Sequence, residues 1–445
     1  MNHYIKRLFF LCFLLNFQMV FAYTQEPSKA ILNTYKKLDE QPDKLLTQLV
    51  NALLQTNVDA VSQLFPLYSK LPKSFQTKDI RLWSLAILSA SKGEHLEALN
   101  YYEKLHNIYP EMLPLKFQWG MSLFANRRYY EAKRIFTELK GKINSQVPNQ
   151  ILEHIDLEHK WNLLGNFNVV SNYNVNQGNS SQNGWTFGEP RHTYGIHLGI
   201  GLEKRWHLPK GFFINTKLMT ESDFYPKYKP LNYLSIYSNF GIGYQDTKKE
   251  IQLTPFSEIV FNNMNSHFDY GATILGFKTQ MNYNISSRWQ VGTEYKVQYR
   301  SYHQENEALN NHIHKIDVMT LFKPRLRTNL KTNIFYEESF YNSIFKSKGY
   351  KTFGVGVLWN EIWGSHLGSQ FSMEYYQSRY KGLKMIFNTT EKKSTVNLGI
   401  AIWNPKWSMQ GVIPKLHFSY SLVKSNIDLF SYKEPKIFIE VFKPF

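Results

Sequence analysis

From Leu163 to Phe445, apolar side chains recur at every second position in stretches of about ten residues, many of them ending on an aromatic ring. Ile196, Leu198, Ile200 and Leu202 alternate with His197, Gly199, Gly201 and Glu203. Trp289, Val291, Thr293, Tyr295, Val297 and Tyr299 alternate with Gln290, Gly292, Glu294, Lys296 and Gln298. Such a strand has one face for lipid and one for water, although singly it would also fit a soluble sandwich. The number of strands favours a membrane β-barrel. Fourteen are predicted, with cores at 165–175, 193–205, 211–222, 232–245, 250–261, 268–283, 287–300, 312–322, 328–340, 350–360, 366–377, 392–403, 414–424 and 435–445. Twelve or sixteen would follow if the weak fifth strand or the long sixth were divided differently; an even count lets the barrel ends meet antiparallel. Polar stretches such as Asn176 to Arg191 and Tyr302 to Asn311 read as long extracellular loops, and Asn284-Ile285-Ser286 as a short periplasmic turn. Pro255 and Pro405, which lack an N–H, are expected near strand ends or bulges.

Upstream the period becomes helical. From Pro27 to Glu158, stripes such as Leu45, Leu46, Leu49, Leu53 and Leu54 lie on one helix face. Shifting the chain against itself by 34 residues aligns Ala86 with Gly120, Ala98 with Ala132, Tyr102 with Phe136 and Leu105 with Leu139, the tetratricopeptide period. Small residues are needed where paired helices approach, and the aromatic fills the groove beside them. Gly93 turns the chain between helices and Pro110 closes the unit; the second unit has Arg127 and Asn144 at those places. A degenerate repeat is expected from Asp59 to Leu71. Gly93, Ala98, Tyr102, Gly120, Ala132 and Phe136 are thus the repeat-defining positions. Ordinary helical hairpins are the alternative; either version gives a grooved surface on the periplasmic side.

The start of the chain sets the compartment. Lys6 and Arg7 precede the apolar run Leu8 to Val20, and Val20-Phe21-Ala22 supplies small residues for a signal peptidase, so cleavage is expected between Ala22 and Tyr23. An uncleaved anchor would need a longer run. The single cysteine, Cys12, lies inside this peptide without the small residue of a lipidation box before it, so the mature chain should carry neither a lipid anchor nor a disulfide. No later run has eighteen apolar residues, and the mean hydropathy is -0.41. An exported chain of this kind can span a bilayer only as a closed barrel, because every backbone N–H and C=O must be paired in hydrocarbon. The expected fold is therefore α plus transmembrane β. A signal peptide at 1–22 and a periplasmic helical domain at 23–160 precede a fourteen-stranded outer-membrane barrel at 161–445.

Composition adds a charge question. Aromatic residues make up 16% of the chain, as interfacial girdles require. The formal charge of +17 would suggest nucleic acid in a soluble protein, which export argues against. From Gly165 onward there are 32 lysines and arginines against 20 acids, with the excess placed in predicted turns at Lys227, Lys229, Lys248, Lys249, Lys346, Lys348, Lys392 and Lys393. Two readings stand: loops facing anionic head groups of outer-membrane lipid, or a basic lumen that attracts acidic cargo. No catalytic constellation is found and no cofactor or metal is expected. His154 to His159 has the spacing H-x-x-x-E-H where the inverted zinc motif needs H-x-x-E-H, so a solvated helix face is expected. His312 and His314 share one strand face and are expected to serve in the lumen or a loop.

The stretch from Pro414 to Ile427, with Leu429, Tyr432 and Lys436 to Phe445, resembles the end of the surface lipoprotein assembly modulator (Slam) family: a penultimate strand, Ser425-Asn426, a turn tyrosine, and a last strand closing on Lys443-Pro444-Phe445. The opening Ser171-Asn172-Tyr173-Asn174-Val175-Asn176 also resembles that family's Asn-rich start of the barrel. Pro444 and the short helical domain depart from the family pattern. The resemblance implies an outer-membrane translocon that is not an enzyme and that delivers surface lipoproteins, or a secreted haem-binding protein, from periplasm to cell surface. It further implies partnership with the barrel assembly machinery, which reads a terminal aromatic such as Phe445, and leaves room for periplasmic chaperones. A polysaccharide exporter, which has a longer helical array, and a passive porin-like channel, for which the helices have no use, are the alternatives.

Overall fold

The computed structural model describes residues 41–442 except 144, 178, 183–184, 188, 265–266, 303–308, 326, 342–347, 365–366 and 408–412. The signal cleavage site Ala22/Tyr23, Lys346, Asn144 and the terminal Lys443-Pro444-Phe445 lie outside the described residues. The chain divides into a helical unit and a barrel unit.

Among the described residues the helical unit has seven α-helices: α1 (Pro42–Leu54), α2 (Val58–Tyr68), α3 (Lys78–Ser91), α4 (His95–Ile108), α5 (Leu113–Ala125), α6 (Tyr129–Leu139) and α7 (Val147–Glu158). None is long and apolar enough to cross a membrane. Proline in the first turn starts α1, α5 and α7, where its missing N–H is harmless. Asn57 caps α2 by accepting a hydrogen bond from the Ala60 N–H at 3.1 Å. The helices form the hairpins α1/α2, α3/α4 and α5/α6, followed by α7. The turn of each hairpin uses a left-handed residue: Thr56 (φ 56°), Gly93 (φ 80°) and Arg127 (φ 55°). Arg127 therefore adopts the conformation that glycine supplies in the preceding hairpin, and the α1/α2 hairpin spans the region read as a degenerate repeat. Ala86, Ala98, Tyr102, Leu105, Ala132, Phe136 and Leu139 are all at most 2% exposed. Gly120 has no room for a side chain, since a Cβ would lie 2.9 Å from Ile135 Cγ2 and 3.1 Å from the Phe136 ring.

One buried polar side chain ties the three hairpins together. Gln118 of α5 donates from Nε2 to the Leu53 carbonyl (2.9 Å) and to Thr56 Oγ1 (2.8 Å), and its Oε1 accepts from Trp83 Nε1 (2.6 Å). Leucine at this position would strand the Trp83 N–H away from water and leave the Leu53 carbonyl with the Thr56 N–H alone. Gln118→Leu should therefore destabilise the helical unit by about 2–3 kcal/mol, read as a lower urea midpoint for hydrogen-exchange protection of α1, α3 and α5.

Two histidines make this unit acid-sensitive. Burial holds His95 below its usual 6.5. His106, half-buried and stacked on Trp119 at 4.2 Å, is held below it first by burial and then by the nearby Lys116. Both are thus neutral in the folded state at a pH where the unfolded chain binds protons. Their contribution is full above about pH 6.5 and declines as pH falls below it. Thermal unfolding of the helical unit should move to lower temperature between about pH 6.5 and pH 5, with less movement in a His95→Gln/His106→Gln variant.

The barrel unit is a closed antiparallel sheet of fourteen strands: β1 (Asn162–Asn172), β2 (Thr193–His207), β3 (Phe212–Phe224), β4 (Tyr233–Gln245), β5 (Lys249–Met264), β6 (His267–Asn284), β7 (Trp289–Tyr302), β8 (Asn311–Arg325), β9 (Thr328–Tyr341), β10 (Tyr350–Trp363), β11 (Leu367–Lys384), β12 (Thr389–Trp403), β13 (Ile413–Ser425) and β14 (Tyr432–Phe442). Each strand pairs with its sequence neighbours, and β1 closes on β14 with Asn166 opposite Phe442 and Asn172 opposite Lys436. Closure removes sheet edges, which hydrocarbon would not tolerate. Outward side chains are apolar and exposed, as for Ile196, Leu198, Ile200 and Leu202 on β2 and Phe353, Val355 and Val357 on β10. Outward rings flank this band: Trp206, Trp289, Trp359 and Trp363 at one end, and Tyr194, Tyr270 and Phe340 at the other.

Three expectations change. Pro255 lies in the middle of β5, opposite Phe277, and the bulge falls later, at Val260/Phe261. Lys392 and Lys393 lie within β12, and Lys249 is the first residue of β5, so these are strand positions and not turns. β1 begins at Asn162 and ends at Asn172, which leaves Tyr173 to Asn176 in the following loop. That Asn-rich segment is pinned to β14: Asn172 Nδ2 donates to Glu434 Oε1 (2.9 Å) and Asn174 Nδ2 to the Lys433 carbonyl (2.7 Å). Its asparagines thus secure the closing seam. The same loop contains a small hairpin, Asn179–Gln182 with Trp185–Phe187.

Candidate functional site

The alternation that turns leucine and isoleucine to the outside turns glycine, charge and a few large rings to the inside. Four inward rings fill the space beside a neighbouring glycine, and each has a cation over its ring. Phe213 fills the space a Cβ on Gly243 would need, and the Arg205 guanidinium is 4.1 Å from its ring centre. Phe256 lies likewise on Gly276 beneath Lys296 at 4.9 Å, and Phe335 on Gly354 beneath Lys315 at 4.9 Å. Trp403 lies on Gly368 beneath Lys415 at 4.9 Å. Glycine lets the ring lie against the wall, and the ring face holds the ammonium or guanidinium group in place. These layers line the barrel wall with positioned cations.

The densest group is a ladder. Lys278 of β6, Lys296 of β7 and Lys315 of β8 stand in one inward row, Lys278 opposite Lys296 and Lys296 opposite Lys315. Like charges directly opposite one another destabilise a sheet. The next inward row supplies carboxylates at Glu294 and Asp317. Glu294 lies 4.0 Å from the Lys278 ammonium and accepts a hydrogen bond from Gln280 Nε2 at 2.6 Å. Asp317 accepts one from Asn333 Nδ2 at 3.4 Å. Elsewhere on the wall several charges are paired: His197 Nδ1 with Asp223 Oδ1 at 2.7 Å, Arg205 with Glu250 at 2.9 Å, and His417 Nε2 with Glu440 Oε2 at 2.9 Å. Only in the ladder do three lysines follow one another in directly opposed positions across neighbouring strands of the described wall.

His312 and His314 do not belong to the lumen or to a loop. Both point outward from β8, where His312 lies beside the Tyr299 ring at 4.7 Å and His314 Nδ1 is 2.8 Å from the Tyr295 hydroxyl. Outward from β8 they continue the interfacial aromatic band. His154 packs edge-on against Phe124 at 5.4 Å, so its helix face is partly covered and not simply solvated; Glu158 Oε1 is 4.0 Å from its ring. The lysine ladder and the ring-on-glycine layers escape sequence reading. Alternation marks Lys278, Lys296 and Lys315 as inward, but register across three strands is needed to align them.

A sequence model described as surface lipoprotein assembly modifier matches residues 161–445, and a second, for the N-terminal TPR repeats of that family, matches residues 31–136. The chain is 25% identical over 433 residues to surface lipoprotein assembly modifier 1 of Haemophilus influenzae, covering 94% of this chain and 88% of the relative. It is 22% identical over 445 residues to the surface lipoprotein assembly modifier of Pasteurella multocida, covering 94% and 86%. Among solved structures, the outer membrane channel DcaP of Acinetobacter baumannii aligns with a TM-score of 0.39 at 12% identity, over 64% of this chain and 97% of that one. The barrel match alone takes in more than half of the sequence: this chain belongs to the surface lipoprotein assembly modifier family, with its barrel in the outer membrane and its helical unit in the periplasm.

Proposed function

We propose that this protein takes particular exported lipoproteins from the periplasm and passes them to the cell surface through or along its barrel. The observation that carries this reading is the lumenal lysine ladder in a barrel joined, in one chain, to tetratricopeptide-type hairpins. The repeats offer a groove for receiving a partner, and the lumen offers cations at fixed positions for its acidic segments. The relatives' name, surface lipoprotein assembly modifier, supplies the cargo class. Transport of this kind needs no nucleotide: the periplasm has no ATP, and folding of the cargo outside supplies the direction.

The test is co-expression with candidate lipoproteins encoded in the same genome, followed by protease shaving and antibody labelling of intact cells. Surface exposure of the lipoprotein only when the barrel protein is present is the expected result. Equal exposure without it, or a cargo that stays periplasmic with it, would overturn the proposal. A soluble haem-binding protein released to the medium would keep the transport reading and change the cargo class.

A further inference from the structure

The outside of the barrel carries a second, separate concentration of charge. One register row runs across the outward face from β8 to β12: His314 opposite Glu338, Glu338 opposite Lys351, Lys351 opposite Arg379 and Arg379 opposite Lys392. Lys381 lies two residues beyond Arg379 on the same face, and Lys424 of β13 stands outward opposite Ser394. Five cations thus stand outward at this end of β10 to β13, beside one outward carboxylate, Glu338 of β9. That carboxylate is already engaged, with Lys381 at 2.7 Å and Lys351 at 3.6 Å. Among the described residues Arg379, Lys392 and Lys424 form no ion pair. Outward positions at the same end of β1 and β2, such as Val169, Tyr194 and Ile196, are uncharged, so the patch is confined to one side of the barrel.

Its height identifies what it faces. β1 follows the periplasmic helices, so odd-numbered strands run outward and even-numbered strands return. Lys351 and Lys392 near the starts of β10 and β12, and Arg379 and Lys424 near the ends of β11 and β13, therefore all lie at the extracellular end. Further down the same faces are exposed apolar residues, Phe353 and Val355 directly below Lys351 on β10 and, past Ser394 and Val396, Leu398 and Ile400 on β12. The cations stand just above the hydrocarbon boundary of the outer leaflet. Cross-strand repulsion along Lys351, Arg379 and Lys392 calls for an anion from outside the chain. Phosphate suits it, because guanidinium and ammonium groups bind its oxygens through charge-assisted hydrogen bonds. We propose that this patch is a binding site for the phosphate groups of lipid A in the outer leaflet, anchoring one side of the barrel to that lipid.

The experiment uses the purified full-length protein in neutral detergent. Diphosphorylated lipid A, fully dephosphorylated lipid A and inorganic phosphate are added separately, with bound lipid counted by native mass spectrometry and barrel unfolding followed by heat-modified gel migration. Diphosphorylated lipid A should bind and raise the unfolding temperature, and the other two should not. In an Arg379→Gln/Lys392→Gln/Lys424→Gln variant its affinity should fall by at least about tenfold, while Lys392→Arg/Lys424→Arg should retain it. Equal binding of the dephosphorylated lipid, equal stabilisation by inorganic phosphate, or an undiminished affinity in the triple glutamine variant would each overturn the site. If that variant does not insert, the comparison of the three ligands on the unaltered protein still decides.

Discussion

Replacing Lys278, Lys296 and Lys315 together by glutamate should lower surface display of the cargo lipoprotein by at least about tenfold, with the barrel still inserted and heat-modifiable. The three ammonium groups stand in consecutive cross-strand positions on the lumen wall, so their fields add over the same stretch of the lumen. A narrow, low-dielectric channel focuses such a field and concentrates ions of opposite sign within it. Reversal would leave the ladder negative beside Glu294 and Asp317 and would repel the acidic segments proposed to pass it. Lys278→Arg/Lys296→Arg/Lys315→Arg keeps the charge and should keep display near the unaltered level. Cargo should also become easier to detach at raised salt, since exposed charges are screened over roughly 10 Å at 0.1 M. Unchanged display in the glutamate variant, with normal insertion, would exclude the ladder from the transport path.

Most of the barrel is legible in the sequence because lipid enforces the outward face at every second residue. The inward face has no such discipline. It holds lysine and glycine but also Phe213, Phe256 and Phe335, so an inward position cannot be told by polarity alone. Alternation therefore puts His312 and His314 on a common face but not on a particular side of the wall: Ile313 between them is apolar and points in, while the histidines point out among tyrosines. Glu391-Lys392-Lys393-Ser394 is polar throughout and so resembles a turn in sequence. The strand continues there because β-pairing does not stop where hydrocarbon does: Lys393 still pairs with Ser425 and Arg379 with Lys392. In the helical unit the 34-residue offset finds the small and aromatic contact positions, since burial constrains both. It does not find that Arg127 can supply a left-handed turn, because one turn residue leaves no periodic trace.

Removing the helical domain, residues 23–158, while keeping the signal peptide, should leave a barrel that inserts but no longer displays the lipoprotein, with a loss of tenfold or more expected if the repeats supply most of the local cargo concentration. The three hairpins have an internal core of their own, with Leu49, Leu53, Ala86, Leu99, Leu123 and Phe136 at most 2% exposed and Gln118 joining three of the helices, so the barrel ladder is complete without them. On the proposed reading, what is lost is a receiving surface, since a groove between helices can hold an extended or helical segment. Unchanged display after the deletion would reduce the repeats to a dispensable appendage. A chimera then separates reception from selection. If selection lies in the lumen and loops, including the Lys278/Lys296/Lys315 ladder, this helical domain placed on the barrel of the Haemophilus influenzae relative should export the relative's cargo. Export of this protein's own cargo by that chimera would assign selection to the repeats and leave the ladder as a general conduit for acidic chains.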